Sequence, residues 1–210
     1  MRKIVLLLLI TIFSSNALAQ SGRRTTKPPP TPVAPAIESP SEFERPEAPP
    51  SPVALGVLPQ DLLNRELKSL DKGSFRLSDF YGKVVVLNLW ASWCGPCRME
   101  VPEYERVRKE YAGRGVEFIA LTTEDPRTAS ERVKQFVRDF KFGFRHGWAD
   151  PQTAATLMNG RNVIPQTLVI SADGRILSHW RGYSRERNGE RLRETIAQAL
   201  SGATSPSTRF

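Results

Sequence analysis

The chain has 210 residues, with 30 basic and 22 acidic side chains, a net charge of +8, two cysteines and two histidines. So few soft ligands exclude a closed four-ligand zinc site: Cys94 and Cys97 would need His146 and His179 as well, and those two lack ligand spacing. The positive charge alone would suit a nucleic acid, but an export signal at the start of the chain speaks against any nucleic-acid partner.

That signal is "MRKIVLLLLITIFSSNALAQ". Arg2 and Lys3 precede an apolar stretch from Ile4 to Phe13, and Ala17-Leu18-Ala19 offers a small-x-small cleavage site. The layout predicts a signal peptide over residues 1–19, cleaved after Ala19. The alternative is a retained anchor, but a spanning helix needs about 20 apolar residues, and Ser14, Ser15 and Asn16 interrupt this one. With no cysteine near the cleavage site, lipidation there is excluded. The expected location is therefore a periplasm, with membrane contact only if the signal is retained and the protein faces the periplasm from an anchor.

Ten of the 17 prolines fall between Pro28 and Pro52. Residues 20–54 have too few apolar side chains to offset the entropy of ordering, so they are expected to form a disordered linker or tail. Residues 55–202 are long enough for one buried core, and 203–210 are expected to be a flexible tail. The domain holds the charge excess, with 24 basic residues against 18 acidic ones from Leu55 onward. This excess is read as solvated surface, with an acidic partner or an anionic membrane as alternatives.

Within the domain, "LKSLDKGSFRL" predicts a hairpin turning at Asp71-Lys72-Gly73. "VVVLNLW" (84–90) is a run of β-branched and apolar residues, as expected of a strand buried on both faces. A helix should start at the cysteines and run to about Ala112, where Gly113 and Gly115 break it. "VEFIALTT" (116–123) predicts a second buried strand, and Asp125-Pro126 an N-cap and first helical residue. Val133, Phe136, Val137 and Phe140 then share one helix face. Asp150-Pro151 repeats the start signal before a shorter helix ending near Gly160. "QTLVISADGRILSHW" predicts a hairpin around Asp173-Gly174, and a last helix carries Leu192, Ile196, Ala199 and Leu200 up to Gly202. The order predicts an α/β layer structure with a mixed sheet.

The two thiols sit in "WASWCGPC", two residues apart. A structural cross-link is a poor reading, because closing a four-residue loop stabilises by only roughly 2 kcal/mol. Inert packing is hard to square with Gly95-Pro96 between the sulfurs. At a helix start, by contrast, unsatisfied N–H groups and the macrodipole favour a thiolate. Cys94 is expected there with its sulfur exposed, and Cys97 one turn on and more buried. Pro96 is tolerated because its missing N–H falls in the first turn.

"WASWCGPC" resembles the active site of thioredoxins. The longer "VVVLNLWASWCGPCRMEVPE" is similar to the exported thiol–disulfide oxidoreductases of the TlpA/ResA type, which share Cys-x-x-Cys-x-x-Glu and a proline matching Pro102. The resemblance spans about Leu67 to Trp180. It implies a thioredoxin-like α/β fold: a central mixed β-sheet flanked by helices, with an N-terminal hairpin and an inserted helix supplied by Thr128 to Phe140. It also implies that Pro165 in "VIPQTL" is a cis-proline, which sets Ile164 backbone groups beside Cys94 to pair with an extended client segment.

By the same resemblance Cys94, Cys97 and Glu100 are the catalytic candidates, and Trp93, Gly95, Pro96, Ile164 and Pro165 the substrate-binding ones. Glu100, one turn beyond Cys97, would tune or relay the proton of that thiol. Asn88 stands where cytosolic thioredoxins keep a buried Asp and cannot accept a proton, which leaves more of that burden to Glu100. Trp90 and Trp93 are expected to shield the site, and both histidines to be non-catalytic.

The implied chemistry is thiol–disulfide exchange on exported client proteins, with apocytochrome c as the family's best-known client class. The redox-active Cys94–Cys97 disulfide serves in place of a cofactor, no metal is expected, and a membrane thiol donor resupplies electrons. The alternatives are a disulfide-forming oxidase or isomerase, and a non-catalytic binding module on a thioredoxin scaffold.

Overall fold

The computed structural model describes residues 55–203; the expected signal peptide and Pro-rich linker, and the tail beyond 203, lie outside them. In chain order the elements are β1 (Gly56–Val57), α1 (Gln60–Leu63), β2 (Leu67–Lys68), β3 (Ser74–Phe75), a 3₁₀ turn (Leu77–Phe80), β4 (Val84–Trp90), α2 (Gly95–Glu110), β5 (Val116–Thr122), α3 (Pro126–Asp139), β6 (Arg145–Trp148), α4 (Pro151–Leu157), β7 (Gln166–Ile170), β8 (Arg175–Arg181) and α5 (Asn188–Ala203). Six strands form one sheet in the order β1-β8-β7-β4-β5-β6. β4, β5 and β6 are parallel, and β7, β8 and β1 run antiparallel to their neighbours.

β4 shows why the sheet sits between two layers. Side chains alternate across a strand, so Val84, Val86 and Trp90 enter a core with Val101, Tyr104, Phe118, Phe136, Leu192 and Ile196 from α2, β5, α3 and α5. Val85, Leu87 and Leu89 enter a second core with Leu62, Phe75, Ile119, Leu157 and Leu168. All seven β4 residues are buried. Asn88 shares the first face, and so points its amide toward α2 rather than into an apolar layer.

The predicted caps form as the sequence required. Asp125 accepts from the Arg127 N–H and Asp150 from the Thr153 N–H, each followed by a proline in the first turn. Gly113 and Gly115 take φ values of 74° and 73° directly after α2. α5 runs one residue past Gly202, which was expected to stop it. Of the C-terminal arginines, Arg193 is structural rather than free: its guanidinium bonds Glu103 and Glu110, tying α5 to α2.

Two strands were not predicted, β1 and β6. "RHGW" has neither the length nor the alternation of a strand signal. It is held by long-range contacts: β6 pairs with β5, and the small β2–β3 hairpin caps it through a bridge from Ser69 to Gly147 and a Leu70 N–H bond to the His146 carbonyl. The hairpin thus covers an edge that would otherwise be open. Gly147 is required by space: an added Cβ would lie 2.9 Å from Phe75 Cζ and 3.0 Å from Leu121 Cδ2. Gly147→Ala is expected to cost about 1–3 kcal/mol, seen as a lower urea midpoint with an unchanged slope.

Candidate functional site

β4 delivers the chain to the sheet's C-terminal end, and Ala91 to Trp93 carry it to α2. Cys94 is the N-cap of that helix, in extended backbone, and its sulfur accepts a hydrogen bond from the Cys97 N–H at 3.2 Å. Cys94 and Cys97 are joined as a disulfide, with Cα atoms 5.3 Å apart. The first sulfur therefore faces the free N–H end of a sixteen-residue helix.

One expectation is corrected. Cys94 is 4% exposed, nearly as buried as Cys97. In the disulfide form its sulfur packs in the same apolar cluster as Trp90, Ala91 and Val101. The exposed surface comes instead from Trp93, at 65%, and from Gly95 and Pro96. Trp93 therefore stands at the surface and is not a core aromatic. Trp90 is buried, tilted against Phe136 and edge-on to Phe142 and His146.

The segment before the cysteines is clamped on both sides. The Ser92 N–H and hydroxyl both donate to the buried Glu124 carboxylate, while Arg98 Nη2 donates to the Ser92 carbonyl at 3.0 Å. Arg132, on the inserted helix α3, donates to Glu124 Oε1 at 2.7 Å. Glu124 was missed from sequence because the adjacent Asp125-Pro126 cap explained that stretch without it. A groove of about 350 Å³ opens beside Trp93, walled by Arg98, Arg132, Gln135 and Phe140 among others.

Glu100 is fully buried one turn beyond Cys97, facing β4. Asn88 Nδ2 donates to Glu100 Oε1 at 2.8 Å and to Thr167 Oγ1 at 3.3 Å. Trp180 Nε1, a pure donor, donates to the Tyr104 hydroxyl at 3.2 Å, and that hydroxyl is hydrogen-bonded to Thr167 Oγ1, 3.0 Å away. Glu100 Oε2 has no partner among the described residues. Burial pushes the Glu100 carboxyl up from 4.5 to about 8, against the Asn88 N–H that favours its charged form. At neutral pH this carboxyl is largely protonated and close to its titration point. Burial, and then the neighbouring Glu100 charge, push the Tyr104 phenol up, so it stays neutral.

The Ile164–Pro165 bond is cis. The Pro165 carbonyl accepts from the Gly182 N–H at 2.8 Å, and among the described residues the Ile164 N–H and C=O make no hydrogen bond. His146 is buried, its Nε2 bonded to the Phe142 carbonyl, and His179 is half-buried on β8. Among the described residues no group of three His, Cys, Asp or Glu side chains could hold a metal ion, and no helix is long and apolar enough to cross a membrane.

Comparison with known proteins gives consistent results. The Redoxin family pattern matches residues 47–196. The thiol-disulfide oxidoreductase ResA of Bacillus thuringiensis subsp. konkukian is 31% identical over 133 residues, covering 63% of this chain and 73% of its own. ResA of Geobacillus kaustophilus is 31% identical over 149 residues, 69% of this chain and 79% of its own. Among solved structures, a thiol:disulfide interchange protein of the thioredoxin family from Chlorobium tepidum aligns with a TM-score of 0.58 at 23% identity, over 73% of this chain and 99% of that one. At that identity the last likeness speaks to the thioredoxin-like fold alone.

Proposed function

We propose, from the premise that the chain belongs to the Redoxin family and is a thiol–disulfide oxidoreductase of the ResA type, that it reduces disulfides in exported client proteins in a periplasm. The observation that carries the reading is the Cys97 N–H aimed at the Cys94 sulfur at the start of α2. A thiolate at that position is stabilised by the same N–H and by the helix end.

In the reduced enzyme, the Cys94 thiolate attacks one sulfur of a client disulfide. That S–S bond breaks, a Cys94–client mixed disulfide forms, and the other client sulfur leaves as a thiolate that takes up a proton. Cys97 then loses its proton and attacks the Cys94 sulfur, which releases the second client thiolate. The client gains two electrons, and the enzyme is left as the Cys94–Cys97 disulfide. A membrane thiol donor reverses these exchanges on the enzyme.

Glu100 is the proton partner for Cys97, lying one helical turn away and poised about 8. Its carboxylate accepts the Cys97 proton during client reduction, and its acid form returns one when the disulfide is re-reduced. Trp93, Gly95, Pro96, Ile164 and Pro165 make the face that a client meets. The open N–H and C=O of Ile164 suit pairing with an extended segment. Residues 1–19 serve as the cleaved signal, and 20–54 as a spacer. Apocytochrome c awaiting haem is the client class this reading favours.

The Cys94–Cys97 reduction potential, measured against glutathione buffers, tests the direction. A value nearer about −270 mV, as in thioredoxin, is expected; one near about −120 mV, as in strong oxidases, would overturn the reductase reading.

A further inference from the structure

The loop before β7 is tied down by one side chain. Gln166 is fully buried, and its Nε2 donates to the carbonyls of Arg161 and Val163, both at 2.7 Å. Its Oε1 is 2.7 Å from His179 Nε2 on the neighbouring strand β8. An amide oxygen only accepts, so His179 carries its proton on Nε2 and donates it. Every polar atom of the Gln166 amide is therefore used, and its orientation is fixed. Burial, with Arg181 and Arg191 close by, pushes His179 down, in keeping with a neutral ring.

This staple has a consequence for Ile164. The Val163–Ile164 peptide is trans, so its C=O and N–H point in opposite directions. Drawing the Val163 carbonyl onto Gln166 turns the Ile164 N–H away from the protein interior. That N–H is one of the two unpartnered groups named above. Val163 itself is 53% exposed, so this short stretch presents an apolar side chain next to an open backbone donor.

We propose that Gln166, locked in place by His179, is a positioning residue that aims the Ile164 N–H at the backbone of a client, and so selects extended polypeptide segments over small disulfides. This rests on the oxidoreductase reading given above and refines its substrate class. A small disulfide needs only the Cys94 sulfur, whereas a peptide also needs the aligned strand edge. Losing that alignment weakens binding of the peptide, because the loop must then be ordered on association.

The test compares two substrates on the full chain: a short linear peptide carrying one glutathione mixed disulfide, and bis(2-hydroxyethyl) disulfide. For Gln166→Leu the KM for the peptide is expected to rise about tenfold, a loss of about 1.4 kcal/mol. Its kcat, the hydroxyethyl disulfide rate and the Cys94–Cys97 potential are expected to stay unchanged. An unchanged peptide KM, or an equal loss on both substrates, would overturn the proposal. If Gln166→Leu does not fold, His179→Ala decides. It leaves the Gln166 donors but frees the amide to turn, and should raise the peptide KM about threefold while sparing the small substrate; no change in that KM overturns the proposal. Failure of the unmodified protein to reduce either substrate would instead remove the oxidoreductase reading itself.

Discussion

Cys94→Ser is expected to lower the rate of disulfide reduction by about a thousandfold or more, since a serine hydroxyl at the same helix end stays protonated and is a far weaker nucleophile. The fold should survive, because serine is no larger than cysteine and the cross-link it removes closes a loop of only four residues, worth roughly 2 kcal/mol. The contrasting variant is Cys97→Ala. It keeps the attacking thiol but lacks the resolving one, so it should accumulate covalent enzyme–client adducts that collapse on addition of dithiothreitol. Activity of Cys94→Ser within about tenfold of the unmodified protein would show that Cys94 is not the nucleophile.

Glu100→Gln should change both rate and stability, each with its own pH dependence. The carboxyl titrates at about 8 in the folded oxidised protein and at 4.5 when unfolded. Between those values the folded state binds more protons than the unfolded one, so stability is full below pH 4.5 and is lost as pH rises through about 8. The loss by pH 9 is on the order of 3–5 kcal/mol. Glutamine cannot ionise, so this slope disappears in the variant. The difference in urea midpoint between Glu100→Gln and the unmodified protein should therefore move in the variant's favour from pH 4 to pH 9, since the other titrating groups are common to both, with the variant the more stable at high pH. Parallel curves would contradict the assignment. On the proposed role of Glu100 as proton partner of Cys97, the same substitution should lower the rate on the order of a hundredfold.

Much of the architecture could be read from local chemistry. "VVVLNLW" could only be a strand covered on both faces, and the two Asp-Pro pairs each started a helix where capping predicts one. The unusual residue in that strand, Asn88, cannot act as a base. Its actual use, as the donor that holds Glu100 from across the layer, needed the β4–α2 packing to become visible. β6 escaped notice because four residues with Arg, His and Gly among them carry no period, and only pairing with β5 and the cover of the hairpin make them a strand.

The pairing of Cys94 with Cys97 and the cis bond before Pro165 were legible in the motifs. The supports of the site were not. Glu124 holds the distant Ser92 backbone N–H, and Gln166 meets the His179 ring on the next strand, and no spacing rule links those positions. The burial of Cys94 was not legible for a related reason: helix-start position fixes the electrostatics of a thiol, but tertiary packing fixes how much water reaches it.

The most direct measurement is the pH dependence of alkylation in reduced Cys97→Ala protein, where Cys94 is the only thiol. Iodoacetamide reacts with the thiolate, so the midpoint of rate against pH reports the ionisation of that sulfur at the start of α2. A midpoint clearly below the value of about 8.5 found for free cysteine is the predicted result. A midpoint at or above that value would contradict the account.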